Sequence, residues 1–460
     1  MALELIEKLA LSIKAMEGRL LLIGGRVRDG LARNDHFPNL SAGGDFDLVV
    51  FGLNWSRILS AAQKFGPARL VDHSHDDGSK KPALVRLSLD GLVLEISFPK
   101  NLTAWSNASD FKTWLEADAL ARDFTVNSIY WDPLEKITLD PLGGLADLRA
   151  RRLDLCQPQA LVRDPLRVLR AMVLIARRGY VSSQNLINET KKNWPGLRKV
   201  ARDRLWPEWA KWSRSRWPHL GLRFLEESQA LSFWPELAAL VGSPQNAQYH
   251  PEGDVWNHTV LVTQAMAELD VSEAERKSHW LLAALLHDVG KPLATRLDEN
   301  GRPLTKGHPE AGVPVAKAFL RSQRAPEKVV DVVAKLTRWH MELAFKHLSA
   351  EGLRRVARLL KPQADLVDYW ALSAADWNGR RPRVNFFAYS LEEYLDFVGG
   401  ERTVPKPLLT GNDLIRVFNL RPGPRVGFLL NKVELARDQG EIETPEEAIE
   451  WIKRHLTGDV

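Results

Sequence analysis

Residues 20–52 join an apolar run, a glycine pair and two closely spaced aspartates, an order that strongly restricts the fold. The run at 20–23 enters Gly24 and Gly25, and the polar residues that follow predict a strand, a tight turn and the first turn of a helix. Glycines let backbone N–H groups approach a ligand closely, and a helix start favours anions such as phosphate. The stretch therefore predicts a phosphate-binding turn.

Two aspartates, Asp45 and Asp47, flank Phe46 just before the apolar residues 48–51. If this segment is a strand, its period of two places both carboxylates on one face. Such carboxylates repel each other unless a cation lies between them, and Mg²⁺ held by one or two carboxylates and substrate phosphates is the usual arrangement. The pattern indicates metal-assisted phosphoryl or nucleotidyl transfer, although either motif alone is more often a plain turn or a solvated strand start.

Taken together, the two motifs resemble the nucleotidyltransferase head of the polymerase-β type, and specifically the bacterial tRNA nucleotidyltransferase (CCA-adding) and poly(A) polymerase family. The family pattern Gly-Gly-x-Val-Arg-Asp, followed by Asp-x-Asp, is matched by Gly24, Gly25, Val27, Arg28, Asp29, Asp45 and Asp47. The resemblance implies that Asp45 and Asp47 bind Mg²⁺. It also implies that Gly24, Gly25 and Arg28 bind the triphosphate of CTP or ATP.

Three further segments, residues 68–72, 83–89 and 92–98, are predicted to be strands of the same sheet. The dipeptide Asp90-Gly91 between the last two is a hairpin signal. Glu95 could share a face with the two aspartates if the strands are neighbours, which makes it a candidate third catalytic carboxylate. An ordinary solvated edge carboxylate is an equally good interpretation.

A second motif follows a polar segment. Arg122, Asp123, Phe124, Thr125 and Asn127 match the family pattern Arg-Arg-Asp-Phe-Thr-x-Asn-Ala, with Ala121 in place of the first arginine. The resemblance implies that this segment binds the sugar and triphosphate of the nucleotide. By chemistry alone, arginine suits bidentate phosphate contact and aspartate suits a ribose hydroxyl.

Residues 160–178 are predicted to form one periodic helix with Asp164, Arg167 and Arg170 near one face. Such residues often make only an ordinary helix ion pair. The family resemblance implies a sharper role, in which Asp164 and Arg167 hydrogen-bond the Watson–Crick edge of the incoming C or A. Arg163 stands where the family usually has an acid. A neck segment at 201–209, with Asp203 and Arg204, is expected to steady the templating helix.

A second constellation of histidines and aspartates begins after residue 250. Imidazole and carboxylate groups together bind divalent transition metals, and several in one helical region are more specific than one core histidine. The order resembles the HD phosphohydrolase superfamily, which implies the metal ligands His258, His287, Asp288 and Asp376. His308 and His340 are candidates for a second metal. A purely tRNA-holding role for these helices is the competing interpretation.

The predicted fold is an α/β head with a small mixed sheet, followed by all-α neck, HD and tail domains. The expected boundaries are 1–150 for the head, 151–230 for the neck, 231–385 for the HD domain and 386–460 for a tRNA-binding tail. The tail is predicted to contain three helices, at 411–418, 424–439 and 444–456.

Composition indicates the cellular compartment and the class of binding partner. A single cysteine, Cys156, cannot form an internal disulfide, and neither a membrane-length apolar run nor a signal peptide is present. A cytoplasmic protein is expected. The net charge of +5 favours a polyanionic partner, which the resemblance identifies as tRNA.

Several functions share these motifs. Full CCA addition, addition of CC only or of A only, and poly(A) synthesis all fit, and the short segment between Glu95 and Arg122 keeps partial addition open. A hypothesis of another class is an inactive head attached to a metal-dependent phosphohydrolase.

Overall fold

The computed structural model describes residues 2–32, 44–74, 80–99, 111–269, 274–342, 350–380, 390–396, 407–438 and 441–455. The chain forms two compact units. One comprises Met1–Glu208 with Leu220–Phe233, and the other comprises Trp209–His219 with Trp234–Val460. The four finer domain boundaries expected from sequence stay predictions.

The first unit contains a seven-stranded mixed sheet, which confirms the predicted α/β class. Its strands are β1 (Arg19–Ile23), β2 (Gly44–Phe51), β3 (Ala68–Ser74), β4 (Lys80–Leu89), β5 (Leu92–Ser97), β6 (Tyr130–Asp132) and β7 (Ile137–Leu139). The strand order is β3-β4-β5-β2-β1-β6-β7. Strands β2 and β5 pair in parallel, and all the other neighbours pair antiparallel.

The local sequence explains the central strands. Asp45 and Asp47 reach solvent while Phe46 between them is buried, as the period of two predicts. At the β4–β5 hairpin, Asp90 and Gly91 both have positive φ, 48° and 77°. A two-residue hairpin turn of type I′ requires that conformation, so the hairpin prediction is confirmed.

Helices cover the sheet. They are α1 (Ala2–Lys14), α2 (Gly25–Leu31), α3 (Trp55–Gln63), α4 (Phe111–Ala121) and α5 (Gly144–Arg149). Leu115 and Ala119 of α4 join a buried cluster with sheet residues Leu21, Ile23, Val49, Phe51 and Tyr130. This cluster packs α4 against one face of the sheet.

The prediction of one continuous helix over 160–178 is wrong. Helix α6 (Ala160–Arg163) ends before Asp164, and α7 (Arg167–Arg178) begins after Leu166. Asp164 has an extended backbone, with φ of −142° and ψ of 93°. The residue before a proline avoids the helical region, so Pro165 is the physical cause of the break.

The remaining elements of this part of the chain are short. They are β8 (Arg152–Leu153), β9 (Val181–Ser182), α8 (Gln184–Asn193), α9 (Leu205–Trp212), α10 (Pro218–Glu227) and α11 (Pro235–Ala238). Turns of 3₁₀ helix lie at Thr125–Asn127, Trp194–Lys199, Arg202–Arg204 and Ala230–Phe233.

The rest of the second unit is almost entirely helical. Its elements are α12 (Val255–Glu268), α13 (Ala274–Leu286), α14 (Lys291–Ala294), β10 (Arg296–Leu297), β11 (Pro303–Leu304), α15 (His308–Ser322), α16 (Glu327–Trp339), α17 (Ala350–Leu360), α18 (Leu366–Asn378), α19 (Leu391–Asp396), α20 (Gly411–Phe418), α21 (Pro424–Asp438) and α22 (Pro445–His455). The last three match the three predicted tail helices to within a residue or so. No helix in the described residues is both long and apolar enough to span a membrane.

Candidate functional site

The glycine pair lies where β1 turns into α2. Ile23, the last residue of β1, pairs with Asp47 of β2, so the turn begins beside the second aspartate. Gly24 is the N-cap of α2 and has a φ of +77°, a conformation that glycine adopts far more readily than other residues. The predicted strand, tight turn and helix start are confirmed.

Three carboxylate residues lie on two neighbouring strands beside this turn. Asp45 and Asp47 lie on one face of β2, and the parallel register pairs Asp47 with Glu95 of β5. Glu95 also accepts a hydrogen bond of 2.5 Å from Arg86 Nη2 on β4. The candidate third carboxylate is therefore next to Asp47, with an arginine holding one of its oxygens.

The electrostatics of this cluster favour a bound cation. The pKa of the Asp47 carboxyl is raised, first because neighbouring atoms partly screen it from water and then because of the negative charges of Glu95 and Asp45. A divalent cation would relieve that repulsion, and carboxylate oxygens are the donors that hard cations prefer. The residues present thus fit the metal that this chemistry needs.

Arg28 connects the first motif to the second. Its buried guanidinium donates to Asn127 Oδ1 at 2.6 Å and to Asp29 Oδ1 at 2.9 Å. Asn127 in turn donates to Asp123 Oδ1 at 3.0 Å. The structure therefore brings together Arg28, Asp123 and Asn127, three of the candidate nucleotide-binding residues.

Asp123 is held in its charged form. Burial alone would raise the pKa of this carboxyl, but the hydrogen bond from Asn127 and the charge of Arg170 keep it below its usual value. Arg170 Nη1 lies 3.8 Å from Asp123 Oδ2. Asp123 therefore remains a hydrogen-bond acceptor.

Arg122 makes contacts that sequence reasoning did not foresee. Its guanidinium donates to the buried Asp118 through Nη2 at 2.6 Å, and its Nε contacts both Asp118 and the Tyr130 hydroxyl. The spacing of four residues between Asp118 and Arg122 could have predicted this ion pair, since i, i+4 pairs commonly form on helices. Asp118 and Tyr130 therefore fix the orientation of Arg122.

Asp164 and Arg167 each have a separate anchor. Arg167 is buried and donates to the backbone carbonyls of Arg122 at 2.9 Å and Ala121 at 2.8 Å. Its Nε makes no hydrogen bond to any residue that the structure describes. Asp164 lies 3.2 Å from Arg204 Nη2, so the neck segment contacts this aspartate, and its expected role in steadying the helix stays a prediction.

In the second unit, Asp288 lies at the centre of the predicted histidine cluster. Its Oδ2 is 3.1 Å from His287 Nε2 and 3.7 Å from His258 Nε2. Its Oδ1 is 3.2 Å from His308 Nε2 and 3.6 Å from His340 Nε2. The structure thus gathers all four histidines around one carboxylate, including the two that were candidates for a second metal.

Asp376, the last predicted ligand, joins the same cluster. It lies 3.0 Å from His258 Nε2, and its pKa stays well below the usual value because hydrogen bonding to His258 and the charge of Arg380 overcome the effect of burial. Lys291 Nζ lies 2.6 Å from Asp288 Oδ2. Burial alone would raise the pKa of Asp288, but His287 and Lys291 hold it well below its usual range.

Glu252 is a member of this centre that sequence reasoning missed. Its Oε1 lies 2.7 Å from His258 Nδ1 and 2.9 Å from His250 Nδ1. The arrangement orients His258 with Nε2 directed at Asp288 and Asp376. The sequence pattern that predicted this centre contains only histidines and aspartates. Glu252, in the loop before α12, is not part of that pattern.

The donor set fits a transition metal. His287, His308 and His340 each direct Nδ1 at a backbone carbonyl, at 2.9, 2.7 and 2.8 Å, which leaves Nε2 toward Asp288. His287 Nε2 is buried, and its 3.1 Å contact with Asp288 Oδ2 does not have the geometry of a hydrogen bond. Imidazole and carboxylate atoms that converge in this way are typical ligands of divalent transition metals.

A cavity of about 190 Å³ opens onto this cluster. Asp288, His308 and Asp376 form one part of its wall, and the cationic Lys291 and Arg380 also line it. Tyr249, Leu304 and Met341 add a less polar side. The cavity could admit a small phosphoester beside the candidate metal ligands.

Several large aromatic side chains pack in the core of the second unit. Trp209, Trp212 and Trp234 are fully or almost fully buried. Trp212, Trp234 and Phe319 each contact Trp209 edge to face, so these tryptophans belong to the helical core.

Comparisons with known proteins match the two parts of the chain that carry these residues. Residues 20–154 match the family described as the poly A polymerase head domain, and residues 255–370 match the HD domain. The chain is 35% identical over 341 residues to the CC-adding tRNA nucleotidyltransferase of Thermus thermophilus, an alignment that covers 73% of this chain and 76% of that protein.

One more relative and one solved structure extend the comparison. The Multifunctional CCA protein of Neisseria gonorrhoeae is 33% identical over 329 residues, with 70% of this chain and 73% of that protein covered. The crystal structure of the Bacillus stearothermophilus CCA-adding enzyme in complex with CTP superposes with a TM-score of 0.65 and 20% identity, covering 100% of this chain and 98% of that chain. At that identity, the structural match establishes the fold alone.

Proposed function

Because the chain belongs to the bacterial tRNA nucleotidyltransferase family, we propose that it adds C and A residues from CTP and ATP to the 3′ end of tRNA. The observation that carries the proposal is the register that sets Glu95 beside Asp47, next to Asp45 and the Gly24 turn. Relatives named for CC or CCA addition support tRNA as the acceptor.

Asp45 and Asp47 would hold the divalent metal that this family uses, and we assign it as Mg²⁺. When bound, the metal lowers the pKa of the tRNA 3′-hydroxyl and neutralises the leaving pyrophosphate. Glu95 is the proposed third carboxylate of the cluster. Gly24 and Gly25 present backbone N–H groups to the triphosphate.

The second motif surrounds the sugar and phosphates. Arg28 and Arg122 supply positive charge in fixed orientations, because Asn127 and Asp118 respectively hold them. Asp123, kept ionised by its neighbours, accepts from a ribose hydroxyl.

Base selection is assigned to Asp164 and Arg167, with Arg170 beside them. An aspartate accepts from the exocyclic amine that C and A share, and an arginine donates to a ring nitrogen or carbonyl. Both Nη atoms of Arg167 bind backbone carbonyls and its Nε is buried, so reading of the base by Arg167 requires its guanidinium to turn away from these carbonyls. Arg204 fixes the Asp164 carboxylate at the break between α6 and α7.

The choice between full and partial addition depends on a segment outside the described residues. The short stretch that favoured partial addition includes residues 100–110, which the structure does not describe. Both a CC-adding and a Multifunctional CCA relative are similar to the chain. We propose addition of both nucleotides and place CC-only, A-only and poly(A) synthesis among the outcomes of the test.

The test supplies purified protein and Mg²⁺ with tRNA transcripts that end at the discriminator base, at C or at CC, and resolves labelled products at single-nucleotide length. We expect all three transcripts to be completed to CCA. Arrest after CC, or addition of A alone, would establish partial activity, and repeated A addition would establish a poly(A) polymerase. No extension of any transcript would refute the head assignment and favour the hypothesis of an inactive head.

A second activity is proposed for the HD centre, because buried imidazole and carboxylate atoms converge on one cavity there. His258, His287, Asp288 and Asp376 would hold a divalent transition metal, and such a metal when bound supplies an activated water for phosphoester hydrolysis. Lys291 and Arg380 would attract the phosphate. A cytoplasmic location suits both activities and is proposed with them.

Asp288→Ala separates the two activities. We expect it to abolish metal-dependent hydrolysis of 2′,3′-cyclic and monoester phosphates while tRNA extension continues. If wild-type protein loaded with Mn²⁺, Co²⁺ or Ni²⁺ hydrolyses none of these esters, the helices have the competing, tRNA-holding role.

A further inference from the structure

One face of α7 carries a row of arginines that contact the head at three places. Arg167, Arg170 and Arg178 are spaced at i, i+3 and i+11, and a helical period of 3.6 places them on one side. The first binds the carbonyls of Ala121 and Arg122, and the second faces Asp123. These two contacts belong to the motifs already assigned.

The third contact is new. Arg178, in the last turn of α7, donates through Nη2 to Asp29 Oδ2, while Asp29 Oδ1 accepts from Arg28. One carboxylate oxygen of Asp29 therefore accepts from Arg28 in the proposed triphosphate-binding motif, and the other accepts from Arg178 in the proposed base-selecting helix. Neither Asp29 nor Arg178 was assigned a role by sequence reasoning.

The contacts close into a ring of side chains. From Arg178 the ring passes through Asp29 and Arg28 to Asn127, and then through Asp123 to Arg170 on the same helix α7. Four of its six members are proposed nucleotide-binding residues. A displacement of α7 at its C-terminal end would therefore be transmitted to Arg28 and Asn127.

We infer that Asp29 and Arg178 are positioning residues that fix the triphosphate-binding turn relative to the base-selecting helix. The inference rests on the proposed nucleotidyl transfer. Neither residue needs to touch the nucleotide. Together they set the distance between the groups that bind its phosphates and the groups that read its base.

A simpler role for Arg178 is a favourable interaction with the C-terminal end of the helix dipole. Arg177 lies in the same last turn and is exposed, so it would serve the dipole equally well. Among the described residues of this turn, Arg178 forms the ion pair with Asp29. The pair Arg177 and Arg178 therefore provides a matched internal control.

The experiment compares Arg178→Met with Arg177→Met in full-length protein and measures steady-state addition to a tRNA transcript. For Arg178→Met we expect the KM for CTP and for ATP to rise by roughly tenfold, with the KM for tRNA unchanged. Misincorporation of U should also rise. Arg178→Lys should recover part of the loss, and Arg177→Met should behave like wild type.

Asp29→Asn and the double variant test the pairing itself. If the two side chains act through each other, Asp29→Asn combined with Arg178→Met should be little worse than the more impaired single variant. Melting temperatures of all variants identify general unfolding. If Arg178→Met does not fold, Arg178→Lys and Asp29→Asn carry the same comparison.

Three results would overturn the inference: equal effects of the Arg177 and Arg178 changes, additive effects in the double variant, or a fall in kcat without change in nucleotide KM or fidelity. These results presuppose active wild-type protein. If wild-type protein adds no nucleotide, the proposed function fails first, and the two failures are thereby distinguished.

Discussion

A β-carbon placed on Gly24 would lie 2.7 Å from the Asp47 Oδ2 atom. Real β-carbons almost never approach another atom so closely, so any larger residue at 24 must displace the carboxylate that is proposed to bind the metal. The glycine is needed for the space beside Asp47 as well as for its φ of +77°. The Gly24 turn and the Asp47 carboxylate are thus packed against each other.

Gly24→Ala should disable the head. The strained backbone should cost about 1–3 kcal/mol of unfolding free energy, and displacement of Asp47 should slow nucleotide addition by roughly 100-fold. Gly91→Ala is the matched control, since Gly91 also has φ of +77° but a β-carbon added there would have nothing within 4 Å. That variant should lose stability yet keep its rate of addition. Normal addition by Gly24→Ala would contradict the close-contact argument.

Asp47→Asn should abolish nucleotide addition and change how stability depends on pH. A raised carboxyl pKa stabilises the folded protein below the ordinary pKa of aspartate, and that contribution is lost as pH rises through the raised value. At neutral pH without metal, Asp47→Asn should therefore melt at a higher temperature than wild type. The melting temperature of wild type should rise with added Mg²⁺, whereas that of the variant should respond less.

Asp90→Asn, in the exposed β4–β5 hairpin, is the control for that comparison. It should retain both nucleotide addition and the response to Mg²⁺. An Asp47→Asn protein that still extends tRNA would remove Asp47 from the catalytic assignment.

Arg204→Met should lower selectivity more than stability. The Asp164–Arg204 pair is partly exposed to solvent, so its loss should change the unfolding free energy by about 1 kcal/mol or less. A less firmly held Asp164 should nevertheless reduce kcat/KM for CTP by roughly tenfold and increase incorporation of U. Arg202→Met, in the same 3₁₀ turn, is the control. Unchanged fidelity in single-nucleotide assays of Arg204→Met would refute the role of the neck contact.

Glu252→Gln should weaken metal binding at the HD centre. A partner that orients a metal-binding histidine typically contributes about 10–100-fold in affinity, and Glu252 lies 2.7 Å from His258 Nδ1. Calorimetric titration with Mn²⁺ or Ni²⁺ measures the loss directly, and tRNA extension should be unaffected. Glu299→Gln, on the exposed loop between β10 and β11, should bind metal as wild type does. Equal affinities in the two variants would show that Glu252 does not orient His258.

His250 should make the metal-free protein sensitive to acid. The pKa of His250 is lowered to about 4, mainly by burial, whereas in an unfolded chain it is near 6.5. Between these pH values the imidazole is neutral in the folded protein and protonated in the unfolded chain. The contribution of neutral His250 to the free energy of unfolding is complete above pH 6.5 and is lost as the pH falls toward 4. Between pH 7 and 4.5 the loss should be about 2–3 kcal/mol. Urea unfolding at the two pH values should show a smaller difference in His250→Asn, and an equal difference would contradict the prediction.

Features that depend on a few neighbouring residues were predictable from the sequence. Gly24 and Gly25 form the expected turn, and Asp90 and Gly91 form the hairpin turn. At the start of the last helix, Thr444 and Glu447 form a capping box, in which each side chain accepts a hydrogen bond from the backbone N–H of the other residue. Each is set by local backbone preferences. The break at Asp164 belongs to the same class, because Pro165 was visible in the sequence, but helical periodicity was given more weight than the restriction that proline imposes.

What the sequence by itself determined is the chemistry available: paired aspartates, a glycine turn, the Asp164 and Arg167 side chains and a set of histidines in recognisable order. The tertiary structure decided which groups meet. The parallel register of β2 and β5 puts Glu95 beside Asp47, and packing brings Arg178 to Asp29. Local preferences act over a few residues, whereas these contacts depend on how distant elements pack, and no short motif encodes that geometry.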